Sequence, residues 1–125
     1  MMKAITVTLL LCLTLYSCAT TAQQKMVRLA KLEIDSAQLE SYKAFAKEEI
    51  ETSIRVEKGV LTLFAVFEKE HPTRVTILEI YADSAAYKAH IKTPHFLKYK
   101  NGTINMVKSL ELIEVDPLFS DMKIK

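Results

Sequence analysis

The stretch "VLTLFAVFEKEHPTRVTILEIYA", Val60 to Ala82, sets two runs of β-branched and aromatic residues on either side of the polar segment "KEHPT". Val60–Glu68 and Arg74–Ala82 read as the two strands of a hairpin, with His71-Pro72 in the turn. Both strands are apolar on both sides. Val60, Phe64 and Val66 alternate with Leu61, Leu63, Ala65 and Phe67, and Val75 and Ile77 alternate with Leu78 and Ile80. An antiparallel sheet with one wet face would alternate apolar with polar residues. The pattern therefore predicts a sheet covered on both faces.

Upstream, "MVRLAKLEI" (Met26–Ile34) reads as a strand, with Val27 and Leu29 on one side and Ala30, Leu32 and Ile34 on the other. Asp35 and Gln38 have the spacing of a capping box. The helix they open runs to about Val56, with Leu39, Tyr42, Ala46, Ile50 and Ile54 as its apolar stripe. Gly59 is expected to end it in the left-handed conformation. Downstream, Asp83 caps "SAAYKAHIK", and Thr93-Pro94 starts a further helix with threonine as N-cap and proline at the first helical position. Asn101–Thr103 ends or bends that helix, and "VKSLELIEV" (Val107–Val115) is the last strand, before Asp116-Pro117. The order strand, helix, strand, strand, helix, strand is the α+β ferredoxin-like βαββαβ pattern. Its helices cover one face of the sheet only. The other face requires a partner, and a homodimer packed sheet to sheet is expected.

The chain has 125 residues and opens with "MMKAITVTLLLCLTLYSCATTAQQK". One lysine, an apolar run and then small polar residues read as a secretory signal peptide, residues 1–17. Leu15-Tyr16-Ser17-Cys18 resembles a lipobox, which implies lipidation at Cys18, a flexible leash over residues 18–25, and attachment to the membrane through the lipid anchor alone. Ordinary cleavage after Ala22 is the alternative. The corresponding locations are the bacterial cell envelope, as a membrane-anchored lipoprotein, or the periplasm or exterior. Cys12 leaves with the leader, so the domain at residues 26–117 contains no cysteine. That excludes a disulfide framework, a cysteine-ligated zinc and a thiol nucleophile. Lysines and glutamates are interspersed at a net charge of +2, which gives no nucleic-acid surface. With only two glycines there is no Gly-rich phosphate loop for flavin or nicotinamide. Residues 118–125 form a tail without assigned role.

The run Glu79-Ile80-Tyr81-Ala82-Asp83, then Ala86-Tyr87, His90, Thr93, Pro94, His95 and Phe96, with Glu57-Lys58-Gly59-Val60-Leu61 upstream, resembles the antibiotic biosynthesis monooxygenase family. Within it the chain is most similar to the short quinol-monooxygenase-like members. The resemblance runs from Met26 to about Pro117. It implies a dimeric α/β barrel that oxidises phenols, quinols or anthrones with molecular oxygen and no metal or flavin. The family also contains a haem-degrading branch, which relies on a tryptophan, and this chain has none. An isomerase branch shows that fold and motif leave the substrate open.

The residues themselves are consistent with such a site. Glu79 and Tyr81 share a strand face with Val75 and Ile77, and His90 lies on the helix capped by Asp83. A histidine has an unperturbed pKa of about 6.5 and suits a general base. His90 is accordingly the expected base, oriented by Glu79, with Tyr81 bonding the substrate oxygen. The alternative for His90 is a bond to a backbone carbonyl beneath its helix. Phe64, Phe67 and Phe96 are expected as aromatic walls, with His95 as a further substrate contact, and Tyr87 and Tyr99 as helix residues with wet hydroxyls. Two histidines five residues apart do not share a helical face, so no metal site is expected. Besides the oxygenase, a non-catalytic dimer binding a small aromatic ligand and a proton-shuttling isomerase remain open.

Overall fold

The structure, a computed structural model, describes residues 24–120. The leader, Cys18 and the last five residues lie outside the described residues. Four strands and three helices follow in the order β1 (Met26–Ile34), α1 (Leu39–Val56), β2 (Val60–Phe67), β3 (Arg74–Tyr81), α2 (Ser84–His90), α3 (Pro94–Thr103) and β4 (Val107–Val115), with a 3-10 turn at Ser36–Gln38. The strands form one sheet in the order β2-β3-β1-β4, antiparallel throughout. This is the ferredoxin-like βαββαβ fold. The local devices expected from sequence are present. Asp35 accepts from the Ala37 amide at 3.1 Å, and the Gln38 amide reaches back to Asp35 at 3.0 Å. Asp83 caps α2 through the Ala86 amide, and Thr93 caps α3 ahead of Pro94.

The helices lie on the face of the sheet formed by Ala30, Leu32 and Ile34 of β1 and Val75 and Ile77 of β3, against Tyr42 and Ala46 of α1. Ile34 and Val75 are almost wholly buried. Each contributes about 1.5–3 kcal/mol relative to exposure. A second cluster gathers Val60, Leu63 and Tyr81 beneath Ile50 and Tyr87.

Three expectations need correction. The pairing of β2 with β3 skips from Val60↔Tyr81 to Thr62↔Ile80, which bulges out Leu61. Val60 thereby joins Leu63 on the helix face instead of sharing a side with Phe64. The buried line of α1 runs Tyr42, Ala46, Glu49, Ser53, and Ile54 is 47% exposed. Gly59 has no positive φ. What it needs is space: a Cβ there would stand 2.6 Å from the Ala86 Cβ on α2.

Close approach makes Gly59 testable. Gly59→Ala should destabilise the chain by about 1–3 kcal/mol through overpacking. Ala86→Gly alone should cost about 1 kcal/mol as a helix-propensity loss, and should recover part of the stability of Gly59→Ala when combined with it. Urea unfolding of the four-member cycle checks this; strictly additive losses would show that the two residues do not compete for the same space.

Candidate functional site

α1 and α3 pack side by side, α1 toward β2, and leave β4 largely uncovered. Leu110 and Leu112 pair with Leu32 and Ala30, so they face the helix side, yet they are 55% and 49% exposed. A cavity of about 530 Å³ results between helices and sheet, walled by apolar side chains including Leu32, Leu63, Ile77 and Phe96. Polar side chains from four elements converge at one end of it: Arg28, Glu49, Glu79, Tyr81, Tyr87 and His90.

His90, at the C-terminus of α2, is 2% exposed. Its Nδ1 is 2.9 Å from Glu57 Oε2, and its Nε2 is 3.5 Å from Glu49 Oε1. Both carboxylates come from the end of α1, eight residues apart on one side of the helix, with Ser53 between them. Ser53 Oγ donates to Glu49 Oε1 at 2.7 Å. The Glu57 oxygen also lies 2.7 Å from His95 Nε2. The chain from cavity to rim is therefore Glu49, His90, Glu57, His95.

The two carboxylates are driven in opposite directions. Burial pushes the Glu49 carboxyl above its ordinary value, against the Ser53 hydrogen bond and the attraction of His90. Burial also acts on Glu57, but the hydrogen bonds from His95 and His90 outweigh it and hold Glu57 below the ordinary value. Glu57 is thus the ionised partner and accepts a hydrogen bond from His90 Nδ1–H, which leaves Nε2 as the acceptor nitrogen, 3.5 Å from Glu49 Oε1. Glu79 is pushed up by burial, although the Tyr81 hydroxyl donates to its Oε2 at 3.1 Å. Burial, with Glu79 beside it, also raises the Tyr81 phenol.

His90, Glu79, Tyr81 and Phe96 line the cavity, and the Phe96 ring is 5.0 Å from His90. The expected orientation of His90 by Glu79 is replaced: Glu79 serves Tyr81, and Glu57 and Glu49 hold the imidazole. Phe64 sits on the opposite face of the sheet, 63% exposed, because it pairs with Leu78 there. Phe67 faces the helices but packs at the far end of the core beneath Lys43. Neither is a cavity wall. His95 bonds Glu57 and does not line the cavity. The Tyr99 hydroxyl is not wet; it lies 2.9 Å from that of Tyr42 at the cavity wall.

Glu49, Ser53, Glu57 and Arg28 escaped the sequence reading. Glu49 and Ser53 had a signal, since they continue the 4-3-4 spacing from Tyr42 and Ala46. Arg28 had one too, sharing strand parity with Ala30 and Leu32. Glu57 follows Ser53 by four residues on the same line and stands in the run that carries the family resemblance, without an assigned role there. One donor atom each from Glu57, His90 and His95 lies within 4.8 Å of the others, a set that could hold a metal ion. The five-residue spacing does not prevent this, because the chain reverses between α2 and α3 and brings both histidines to one carboxylate. The 2.7 and 2.9 Å separations are those of shared protons. Ligands on one tetrahedral ion with bonds of about 2.0–2.1 Å would stand about 3.3 Å apart.

The sequence profile of the family described as antibiotic biosynthesis monooxygenase matches residues 26–102. A candidate antibiotic biosynthesis monooxygenase from Bacteroides thetaiotaomicron is 61% identical, with a TM-score of 0.80 over 82% of this chain and 97% of that one. A candidate monooxygenase from Lactobacillus acidophilus is 29% identical, with a TM-score of 0.70 over 75% of this chain and 51% of that one. A third, from Nitrosomonas europaea, shares the fold at 21% identity and a TM-score of 0.71, over 75% of this chain and 99% of that one. Among curated proteins none matches.

The opposed carboxylates set a pH test. A carboxyl with a raised folded pKa keeps its proton where the unfolded chain, near 4.5, has released it, so its contribution to stability falls as pH rises above that value. Glu57 contributes in the other sense: its stabilisation is present above 4.5 and is lost as pH falls through its lowered folded value. Replacing Glu79 by glutamine removes one raised carboxyl. The Tm of Glu79→Gln minus that of the wild type should therefore become more positive between about pH 4 and about pH 7. Calorimetry at both ends checks it, and a difference that is flat or declines with pH counts against a protonated, buried Glu79.

Proposed function

The chain belongs to the antibiotic biosynthesis monooxygenase family, and from that premise we propose that it is a cofactor-independent monooxygenase acting on a quinol or other small phenolic or polyketide-like substrate. The observation that carries the reading is the Glu57–His90 pair in the wall of an apolar cavity large enough for an aromatic substrate. Oxygenation without a cofactor needs a substrate that itself gives an electron to oxygen, which a deprotonated hydroquinone or anthrone does. In this reading His90 Nε2 takes the phenolic or enolic proton. Glu57, ionised, stabilises the imidazolium that forms, as a carboxylate behind a catalytic histidine does. The substrate anion then reduces oxygen; one oxygen atom is incorporated and the other leaves as water. The apolar walls keep bulk water from the anion and strengthen the electrostatics of the base. Tyr81, hard to ionise and donating its one hydroxyl proton to Glu79, leaves its oxygen as an acceptor at the same end of the cavity.

We also propose that the functional unit is a homodimer packed through the open sheet face. Phe64 (63% exposed) and Val66 (46%) lie there beside the half-buried Leu29, Leu78, Ile80 and Ile113. A face with this many apolar side chains in a row is one that a partner covers. A second copy supplies it by symmetry. Localisation at the cell envelope through Cys18 stays a proposal on the leader's pattern alone.

Oxygen uptake by the purified chain, offered reduced naphthoquinols, benzoquinols and anthrones with chelator present, tests the chemistry. Uptake above the spontaneous rate is expected, falling by about 10²–10⁴-fold in His90→Ala, with Glu57→Gln also slower. Full activity in His90→Ala refutes the assignment. Saturable binding without uptake moves the protein to a non-catalytic aromatic-binding module. For the dimer, Phe64→Lys should yield a folded monomer by sedimentation equilibrium; a wild type that is monomeric at micromolar concentration overturns the proposal.

A further inference from the structure

Arg28 has no task in the proton chemistry, yet β1 carries it into the cavity wall with its side chain only 9% exposed. A guanidinium has five N–H donors and is always charged. Its partners here are few. The ring centroid of Tyr87 lies 4.3 Å from Cζ, a cation–π contact, and the Tyr87 hydroxyl also bears on the guanidinium. Nη2 is 3.5 Å from Glu114 Oε1, a long contact to a carboxylate whose side chain is 77% exposed. Nε is buried and has no hydrogen-bond partner among the described residues.

The obvious internal counter-ion does not take that place. Glu79 stands opposite Arg28 in the β1–β3 register, and each feels the other's field. Its hydrogen bond nevertheless comes from the Tyr81 hydroxyl, and among the described residues the ion pair of Arg28 is with Glu114 alone. A buried cation with an unsatisfied N–H is costly unless something supplies both charge and acceptor. Nε and Nη2 are the two donors of one side edge of the guanidinium. That edge is the one a carboxylate meets with two parallel hydrogen bonds. Here it holds one orphan donor and one donor loosely engaged by a solvated glutamate, which an incoming anion displaces at little cost.

We infer that the cavity is built for an aromatic hydroxy acid, whose carboxylate takes the Nε/Nη2 edge of Arg28 while its ring lies against Leu63, Ile77 and Phe96. A monoanion suits the site better than a dianion: Arg28 is the buried arginine or lysine of the lining and matches one negative charge, while Lys100 and Lys108, which also line the cavity, are exposed. This names the substrate class of the oxygenase reading and rests on it for the phenolic group, while the carboxylate contact is a matter of binding and is measured without turnover.

The test is anaerobic calorimetric titration of the purified chain with a panel of hydroxynaphthoates and with the corresponding naphthols that lack the carboxylate. The expected result is at least one hydroxynaphthoate binding about 10-fold to 100-fold tighter than its naphthol, the range for a charge-assisted hydrogen-bonded pair. In Arg28→Met that preference, read as the ratio of acid to naphthol affinity in the same variant, should vanish. Glu114→Gln, which removes the competing carboxylate, should leave the preference intact or increase it. Should Arg28→Met fail to fold, Arg28→Lys keeps the charge and loses the two-donor edge, and the preference should shrink. Equal affinity for acid and naphthol in the wild type, no binding of either, or a preference that survives both Arg28 variants overturns the inference. Naphthol-type quinols turned over without any carboxylate preference would overturn it and leave the oxygenase intact. A carboxylate preference without oxygen uptake from any phenol would sustain it and remove the oxygenase.

Discussion

Three helices meet at one carboxylate oxygen. Glu57, at the C-terminal end of α1, has its Oε2 within hydrogen-bonding distance of His90, which ends α2, and of His95, in the first turn of α3. Much of the site's order follows from that contact. It holds one nitrogen of the buried imidazole, while the other lies 3.5 Å from Glu49 Oε1. It also brings α2 and α3 back toward the end of α1, where Gly59 lets Ala86 approach closely. Because the two histidines reach Glu57 across a chain reversal, the arrangement exists only when all three helices are in place.

The second constraint is one of coverage. The helices share one face of the four-stranded sheet and lie toward its β2–β3 side, with β4 at the far rim. The apolar side chains of β4 on that side are left half exposed, and the unfilled space beside them becomes the cavity. Cavity and fold therefore share an origin. The polar groups at its end are tolerated because nearly all are engaged: Ser53 on Glu49, Tyr81 on Glu79, and Tyr42 with Tyr99. Arg28 is the exception, and an exception of that kind points outward to a ligand.

Charge in the site is arranged by environment more than by residue type. Three glutamates lie within or beside one small site, and they are not equivalent. Glu57 is held ionised by two imidazoles, whereas Glu49 and Glu79 are pushed toward their neutral forms by burial. Separating titratable groups in this way is how a protein assigns acid and base roles near neutral pH. It also means that carboxylates in one cavity pull the stability of the fold in opposite directions as pH changes.

Much of this protein was legible in its sequence. Alternation placed all four strands, and Asp83 and Thr93-Pro94 placed two helix starts. The parity of β3 put Glu79 and Tyr81 on the helix side, and the chemistry-bearing stretch from Glu79 to Phe96 does supply the cavity's histidine, phenol and phenylalanine. These are local properties, set by period, capping and backbone sterics within a few residues. The pairing of groups was not local. Which carboxylate holds His90, that His95 meets Glu57, that a bulge at Leu61 returns Val60 to the core, and that Phe64 faces away depend on how α1 lies across the sheet. The sequence by itself determined the elements and the faces they present. The tertiary structure decided the partners, because hydrogen bonds between residues more than thirty apart form only after the chain has packed.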